Sequence, residues 1–448
     1  MKSKLIGWLT VVTLVVSMVS VGVSFTGGTR AEAAEKIEIV FWHVVRDMSS
    51  PTGEWLLETA DEYQKKYPNV ELILENVPEC EMSVMLQTAA AAHRGADAIS
   101  YWEGEYLFPL REHMRDNKKY FSPEELAGFM PSVMITGYYN YDKSKRLFGV
   151  PDPIYGFGFY HMIYNKAMFR KAGVPVPTEA TDYRMSWDEF TDACDKLKAA
   201  GITPLGWGNE GGYASCWWWA SYLLQTFEKG DYVRLYKGEI PWNDPKIVKA
   251  FSRINELYQA GYYNEGGLTL GWTEGLNLVR NREVAMQTMY WGPNNRETYE
   301  ELGDDYGMMK DPVFNPDGPL TYTLMGGGPS KYLIPTWSEY PEEAAKWIKF
   351  FTSKEKLDKL YQMSGIFPPR VDFDTSLIKN RWDKLAWGWI TEKPLSPNYD
   401  NVATPIEIYY EQGKLSVEMC MGKITPQELC DRLQERFEQL DYPWITGR

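Results

Sequence analysis

Basic residues are in the minority in this chain. Lys and Arg number 47 against 61 Asp and Glu, a formal net charge of −14. A surface of that sign repels phosphate backbones, which excludes nucleic-acid binding as a main activity. Histidine is scarce, and the four present (His43, His93, His113 and His161) are scattered. The five cysteines (Cys80, Cys194, Cys216, Cys420 and Cys430) show no zinc spacing, and their odd number forbids complete pairing. No cofactor or resident metal is expected, although the acidic loop at Asp304-Asp305 leaves a structural calcium open. Nucleophile and metalloprotease motifs are missing, and Gly326-Gly327-Gly328-Pro329 lacks the Lys-Ser/Thr of a phosphate loop. A mean hydropathy of −0.41 excludes a polytopic membrane protein. Internal repeats and low-complexity runs are absent.

Aromatic residues are plentiful, with 18 Trp, 30 Tyr and 18 Phe in 448 residues. That excludes intrinsic disorder, and the length gives a prior of two or three domains at roughly 150 residues each. So many rings exceed the needs of a core and hint at a ligand with apolar faces, for which sugars are the usual soluble example. The amino terminus reads as an export signal. Lys2 and Lys4 precede an uncharged apolar run from Leu5 to Phe25, and Ala31-Glu32-Ala33 supplies small residues for cleavage after Ala33. The run is long enough to span a bilayer, so a retained anchor is the alternative. Cleavage removes Lys2, Lys4, Arg30 and Glu32 and leaves about −16. No cysteine lies near the cut to carry a lipid.

The mature chain opens on β-α-β-α-β patterning. Lys36 to Trp42 is a short apolar strand, and Ser50-Pro51 starts a helix that stops at Pro68. Val70 to Leu74 is a strand, residues 79–93 a helix, and Ala96 to Tyr101 a third strand. That order implies a parallel sheet with right-handed crossovers. Ligands of open α/β sheets bind at the carboxyl ends of strands. Trp42 ends the first strand, and Trp102 and Glu103 end the third. Further on, Phe157 to Tyr164 is a strand, and Asn165 starts a helix ending near Gly173. Ser186-Trp187-Asp188-Glu189 forms a capping box for a helix over 187–200. Trp217-Trp218-Trp219 begins an apolar helix running toward Thr226. Helices are expected over 245–260, 341–353, 354–363 and much of 405–440, with a buried strand at 282–291. Cys194 falls on an apolar helix face and reads as a buried thiol, whereas pairing of Cys420 with Cys430 stays open.

These segments carry a resemblance. Gly149-Val150-Pro151, then Tyr164-Asn165-Lys166 with Phe169 and Ala172-Gly173, then Ser186-Trp187-Asp188-Glu189, closely resemble the signature of family 1 extracellular solute-binding proteins. Those are maltose-binding-protein-like receptors of ABC sugar importers. Arg282 to Pro293, Ala344 to Phe351 and Gly365 to Arg370 resemble later motifs of the same family, in order. The resemblance implies two α/β lobes, each a mostly parallel sheet flanked by helices, in the type II periplasmic-binding-protein fold, with the ligand cleft at the hinge. One lobe would hold 34–156 and 329–367, the other 157–328 and 368–448. Crossings fall near Tyr155, Gly326 to Gly328 and Pro368. It further implies stacking rings at Trp42, Trp102, Trp291 and Trp387 with Glu103 or Glu105 as the acidic partner, and Tyr155 at a crossing joins this ligand set; position near strand ends adds Arg46, Asp47, Asp152, Asn209, Glu210, Asn294, Asn295 and Arg296 as candidates for a sugar's hydroxyl rim. Here Gly292-Pro293 follow the Trp291 ring, where the family has them before it.

The implied function is a non-enzymatic, monomeric receptor, periplasmic or at the cell surface, that delivers a carbohydrate to the permease subunits of an ABC importer. A pyranose fits such a site, because its C–H faces stack on rings and its hydroxyl rim needs fixed polar partners. The wealth of Trp favours an oligosaccharide. The same fold with a non-sugar solute is one alternative, and Arg46, Arg296 and Arg370 would serve an anionic sugar. A secreted glycoside hydrolase using Glu103 and Glu105 is another, and it needs two carboxylates about 5–5.5 Å or 6.5–9.5 Å apart.

Overall fold

A computed structural model describes residues 36–45, 47–102, 106–134, 146–154, 157–291, 295–328, 330–393, 395–397 and 404–440. The expected signal segment 1–33 lies outside them, as do Arg46, Glu103, Glu105, Tyr155 and Asn294. Among the described residues no helix is long and apolar enough to cross a membrane.

The first elements follow the sequence pattern: β1 (Ile37–His43), α1 (Pro51–Lys66), β2 (Val70–Asn76), α2 (Glu79–Ala92) and β3 (Ala98–Trp102). β1 pairs in parallel with β2 and with β3. Ser50 accepts the Gly53 N–H and Pro51 fills the first turn of α1, where a missing N–H costs nothing. The alternation of a strand then sends neighbouring β1 side chains to opposite faces. Phe41 meets Trp347 and Phe351 edge-on, at 5.9 and 5.7 Å between centroids. Trp42 turns the other way, into a cluster with Met82 and Leu86 of α2.

The chain next forms β4 (Gly149–Pro151) and, past residues 152–157, enters a second sheet at β5 (Gly158–Asn165). α3 (Lys166–Ala172) is capped by Asn165 and ended by Gly173, whose φ of 67° suits glycine. α4 (Trp187–Ala199) opens on the full capping box: Ser186 Oγ accepts the Glu189 N–H at 3.3 Å, and the Glu189 carboxylate accepts the Ser186 N–H at 2.8 Å. There follow β6 (Thr203–Gly206), α5 (Tyr213–Leu224), α6 (Pro245–Gln259), α7 (Trp272–Arg280), β7 (Val284–Trp291), α8 (Asn295–Leu302), β8 (Tyr306–Met309) and β9 (Met325–Gly327). Past 328–329 the chain rejoins the first sheet as β10 (Ser330–Leu333) and continues through α9 (Pro341–Phe351) and α10 (Lys354–Ser364). After 365–370 come α11 (Arg381–Glu392), β11 (Ser396–Pro397), α12 (Ile406–Cys420) and α13 (Pro426–Glu438).

The first sheet has the order β2-β1-β3-β10-β4, the second β11-β9-β5-β7-β6 with β8 on β5. Both are mixed, in contrast to the mostly parallel sheets expected. β10 runs against β3 and β4, and β5 against β7, β8 and β9. The crossings explain this. Ser330 enters the first sheet opposite Trp102, the carboxyl end of β3, and Tyr160 enters the second opposite Trp291, the carboxyl end of β7. A strand entering at that end runs backwards. The two crossing strands also touch each other, Gly158 beside Gly327 and Phe159 beside Gly326. A Cβ on Gly326 would sit 2.5 Å from the Gly158 carbonyl, so the contact needs glycine.

Much of the aromatic surplus belongs to the core, which corrects the reading of ring content as a ligand signal. Trp55, Trp207, Trp218, Trp219, Trp242 and Trp347 are fully buried. Cys194, Cys216, Cys420 and Cys430 are buried free thiols, so Cys420 and Cys430 do not pair. Burial pushes the Cys420 thiol up to about 12 and so leaves it unreactive. Asp305 is tied to Arg170 at 2.9 Å, and among the described residues no group of three or more metal-binding side chains occurs.

His43, at the end of β1, carries a pH dependence. Burial pushes its imidazole down to about 4 from the ordinary 6.5. The neutral ring accepts the Val45 N–H through Nδ1 at 3.3 Å. Between those two pH values the unfolded chain takes up a proton that the folded chain does not. Stability from this group is therefore complete above pH 6.5 and is lost as the pH falls toward 4, by about 3 kcal/mol. Thermal unfolding followed across that range should show the loss, and His43→Gln should flatten it.

Candidate functional site

The carboxyl ends of β1, β2 and β3 lie at one end of the first sheet, where both crossings also leave it. Trp102 closes β3 there. It is partly buried, with centroids 6.1 Å from Tyr101 and 6.2 Å from Tyr106. Tyr106 in turn lies 6.3 Å from Tyr409 of α12, edge to face. Tyr410, the next residue, is 56% exposed with its ring 6.0 Å from Tyr409. An aromatic path thus runs from the end of β3 to α12. Burial pushes the Tyr101 hydroxyl up, while its bond with Ser83 pulls the other way.

The matching corner of the second sheet lies at the carboxyl ends of β6 and β7. After β6 the chain makes a turn at Glu210–Gly212, and α5 begins. Buried Asn209 shapes this turn: its side-chain amide donates to Ser215 Oγ at 2.7 Å, and its carbonyl oxygen accepts the Ser215 N–H at 2.9 Å. α5 consequently starts at Tyr213, four residues before the expected Trp217. Gly212, with φ of 81°, presses on α12, and a Cβ there would lie 2.1 Å from the Gly413 carbonyl. That contact, with the Cys216 thiol 4.0 Å from the Tyr409 carbonyl, brings Tyr409 to the first turn of α5. The next residue, Trp217, is partly buried. Its ring lies 5.6 Å from Tyr160 of β5 and meets Trp272 of α7 at 4.6 Å and 90°.

The expected ligand residues divide. Trp102 stands at the corner described. Trp42 is 6% exposed, and its indole N–H donates to Glu75 at 2.6 Å, so core contacts account for it. Trp387 packs on Phe367 and Phe373, at 5.3 and 5.0 Å, within a cluster that includes Tyr361 and Trp389. The backbone of Trp291 ends β7 opposite Tyr160. Arg46, Glu103, Glu105, Tyr155 and Asn294 lie outside the described residues, and with them the carboxylate pair of the hydrolase alternative. Of the arginines considered for an anionic sugar, Arg296 donates to the Gln362 carbonyl at 3.0 Å and Arg370 pairs with Asp372 at 2.7 Å.

The sequence reading missed Tyr106, Trp217, Trp272 and Tyr409. A signal for two of them was present. Gly211-Gly212 ahead of an aromatic run marks a turn that delivers a helix start to a strand end, and Gly413 after Tyr409-Tyr410 marks a close approach.

Comparison with known proteins places this arrangement. The family described as bacterial extracellular solute-binding protein matches residues 49–357. A protein of Pyrococcus horikoshii named an uncharacterized ABC transporter extracellular-binding protein is 24% identical over 327 residues, 71% of this chain and 70% of that protein. An sn-glycerol-3-phosphate-binding periplasmic protein of Brucella abortus is 25% identical, over 79% of this chain and 78% of its own. Among solved structures, a chitin oligosaccharide binding protein superposes with a TM-score of 0.78 at 21% identity, covering 90% of this chain and 99% of that one. The chain belongs to the bacterial extracellular solute-binding protein family.

Proposed function

We propose that this solute-binding protein is an extracytoplasmic receptor for a carbohydrate, specifically an oligosaccharide, which it encloses by hinge closure and passes to the membrane permease of an ABC importer. The observation that carries this reading is a pair of ring clusters, one at the carboxyl end of β3 and one beside the turn after β6, joined where the Cys216 thiol meets the Tyr409 carbonyl. Trp102 and Tyr106 come from the end of β3, Tyr409 from α12, and Trp217 and Trp272 from the corner beside β6 and β7. Such platforms suit the C–H faces of successive sugar rings. The structural likeness to a chitin oligosaccharide binding protein supports the same class.

The two lobes of the proposal are 34–156 with 329–367, and 157–328 with 368–448. The chain connections at 152–157, 328–329 and 365–370 would form the hinge, since a few residues at element ends absorb closure. The protein would act as a monomer after cleavage behind Ala33, in the periplasm or at the cell surface. A glycerol phosphate, suggested by the Brucella relative, is the second reading. Its phosphate calls for convergent cations, and Arg296 and Arg370 are already engaged elsewhere.

Ligand shifts an open–closed equilibrium only by its differential affinity for the two states. Small-angle scattering on the mature chain with chitin, xylan and malto-oligosaccharides therefore tests the proposal. Compaction with at least one sugar supports it, and compaction with sn-glycerol 3-phosphate alone moves the ligand to the second reading.

A further inference from the structure

The connection between β4 and β5 begins at a buried carboxylate, Asp152, whose hydrogen bonds all come from the protein itself. Asp152 is 1% exposed. Its Oδ1 accepts the Tyr332 hydroxyl at 2.7 Å and the Ile154 N–H at 2.7 Å. Its Oδ2 accepts the Ser330 hydroxyl at 3.0 Å and the hydroxyl of Ser100. Its own N–H donates to the Ser330 carbonyl at 3.1 Å. Burial pushes the carboxyl above the usual range, while the four hydrogen bonds pull it down. Lys331 sends its ammonium to the Gly328 and Ser330 carbonyls, at 2.5 and 3.3 Å.

A buried carboxylate is costly unless its hydrogen bonds are complete, and here they are. What matters is where the donors come from. Ser100 lies on β3 two residues before Trp102. Ser330 is the register partner of Trp102 on β10. Ile154 lies on the connection that leads to β5. One side chain therefore joins the ring-bearing strand end to two of the three crossings.

We infer that Asp152 is a positioning residue, which fixes the direction in which the β4–β5 connection leaves the first sheet and so sets the resting angle between the lobes and the place of Trp102. This inference rests on the hinge reading above. A comparable carboxylate serves as the control. Asp311 is also buried and accepts the Ser221 hydroxyl, but both residues lie between the crossings, within the proposed second lobe.

The test uses spin labels on exposed positions of α1 and α13, Lys65→Cys and Glu435→Cys, in a Cys80→Ser background. Pulsed electron spin resonance then measures the distance distribution of the mature chain without ligand. Asp152→Ala should shift and broaden the distribution, and Asp152→Asn should do so less. Asp311→Ala should lower the Tm and leave the distribution as in the parent. If Asp152→Ala does not fold, Ser100→Ala with Ser330→Ala removes the Oδ2 donors, together with the Ser330 bond to the Tyr101 carbonyl, keeps the carboxylate, and should give a shift in the same direction. An unchanged distribution in folded Asp152 or serine variants overturns the inference. Because no ligand is present, that result is separate from the scattering experiment. If the parent fails to compact with any sugar, it is the carbohydrate reading that falls.

Discussion

Trp217→Ala and Trp102→Ala are each expected to weaken oligosaccharide binding by roughly 30-fold, about 2 kcal/mol, while the fold persists. Both rings stand at the edges of their clusters. Trp217 lies in the first turns of α5 with its ring against Trp272 and Tyr160, and Trp102 is the last residue of β3. Each is partly buried, so its truncation takes limited apolar area from the core. Truncation removes a rigid platform that was already in place, and the loss appears mainly in dissociation rate. Calorimetric titration with the best sugar of the panel reads the affinity, and circular dichroism reads the fold. Equal affinity in both variants would remove these rings from the site. Trp42→Ala provides a contrast. That indole is buried and bonded to Glu75, so its loss should lower the Tm without a selective effect on binding.

Trp219→Ala is expected to cost about 3–5 kcal/mol of stability, the range for removing a large buried aromatic residue. Trp219 is fully buried and stacks on Trp242 at 5.9 Å and on Phe251 at 5.3 Å, with interplanar angles of 19° and 20°. Trp219 and its two partners come from three separate stretches of chain, and close-packed neighbours relax only partly into a cavity of that size. Denaturant unfolding monitored through far-ultraviolet dichroism measures the cost. A loss below ~1 kcal/mol would mean that this cluster is not the packing centre described.

The contrast between Trp217 and Trp219 shows how far sequence carries. In a run of three tryptophans on a helix, consecutive residues point about 100° apart. Two turn inward and one outward, and only the tertiary partners decide which. Trp218 and Trp219 are core, and Trp217 is left at the corner. Local chemistry was legible wherever a short-range bond decides the outcome. Ser186 with Glu189 fixed the start of α4, Asn165 and Gly173 bounded α3, and the apolar spacing of the first hundred residues gave the parallel strands in order. The mixed sheets were not legible. β4, β9 and β10 are three or four residues long, too short for a periodic pattern, and their direction follows from where the chain crosses. Trp42 is the last residue but one of its apolar strand and Trp102 the last of its own. What separates them is α2 packing over one and Tyr106 beside the other, a long-range fact.

Within the proposed site, the resemblance to solute-binding proteins pointed to the same end of the sheets and to one of the rings there, Trp102. It did not name Tyr409, because Gly413 marks a close backbone approach without saying which segment approaches. That link is made by Gly212 against Gly413, where two backbones meet with no room for a side chain.

The central claim is that a sugar bound between the two sheets draws them together. Small-angle scattering of the mature chain, residues 34–448, with and without saturating oligosaccharide measures this directly. The account predicts a smaller radius of gyration with sugar, a sugar recovered intact, and a midpoint of the change displaced to roughly 30-fold higher sugar concentration in Trp217→Ala. A radius of gyration unmoved by every oligosaccharide in the panel, or sugar recovered as cleaved products, would contradict it.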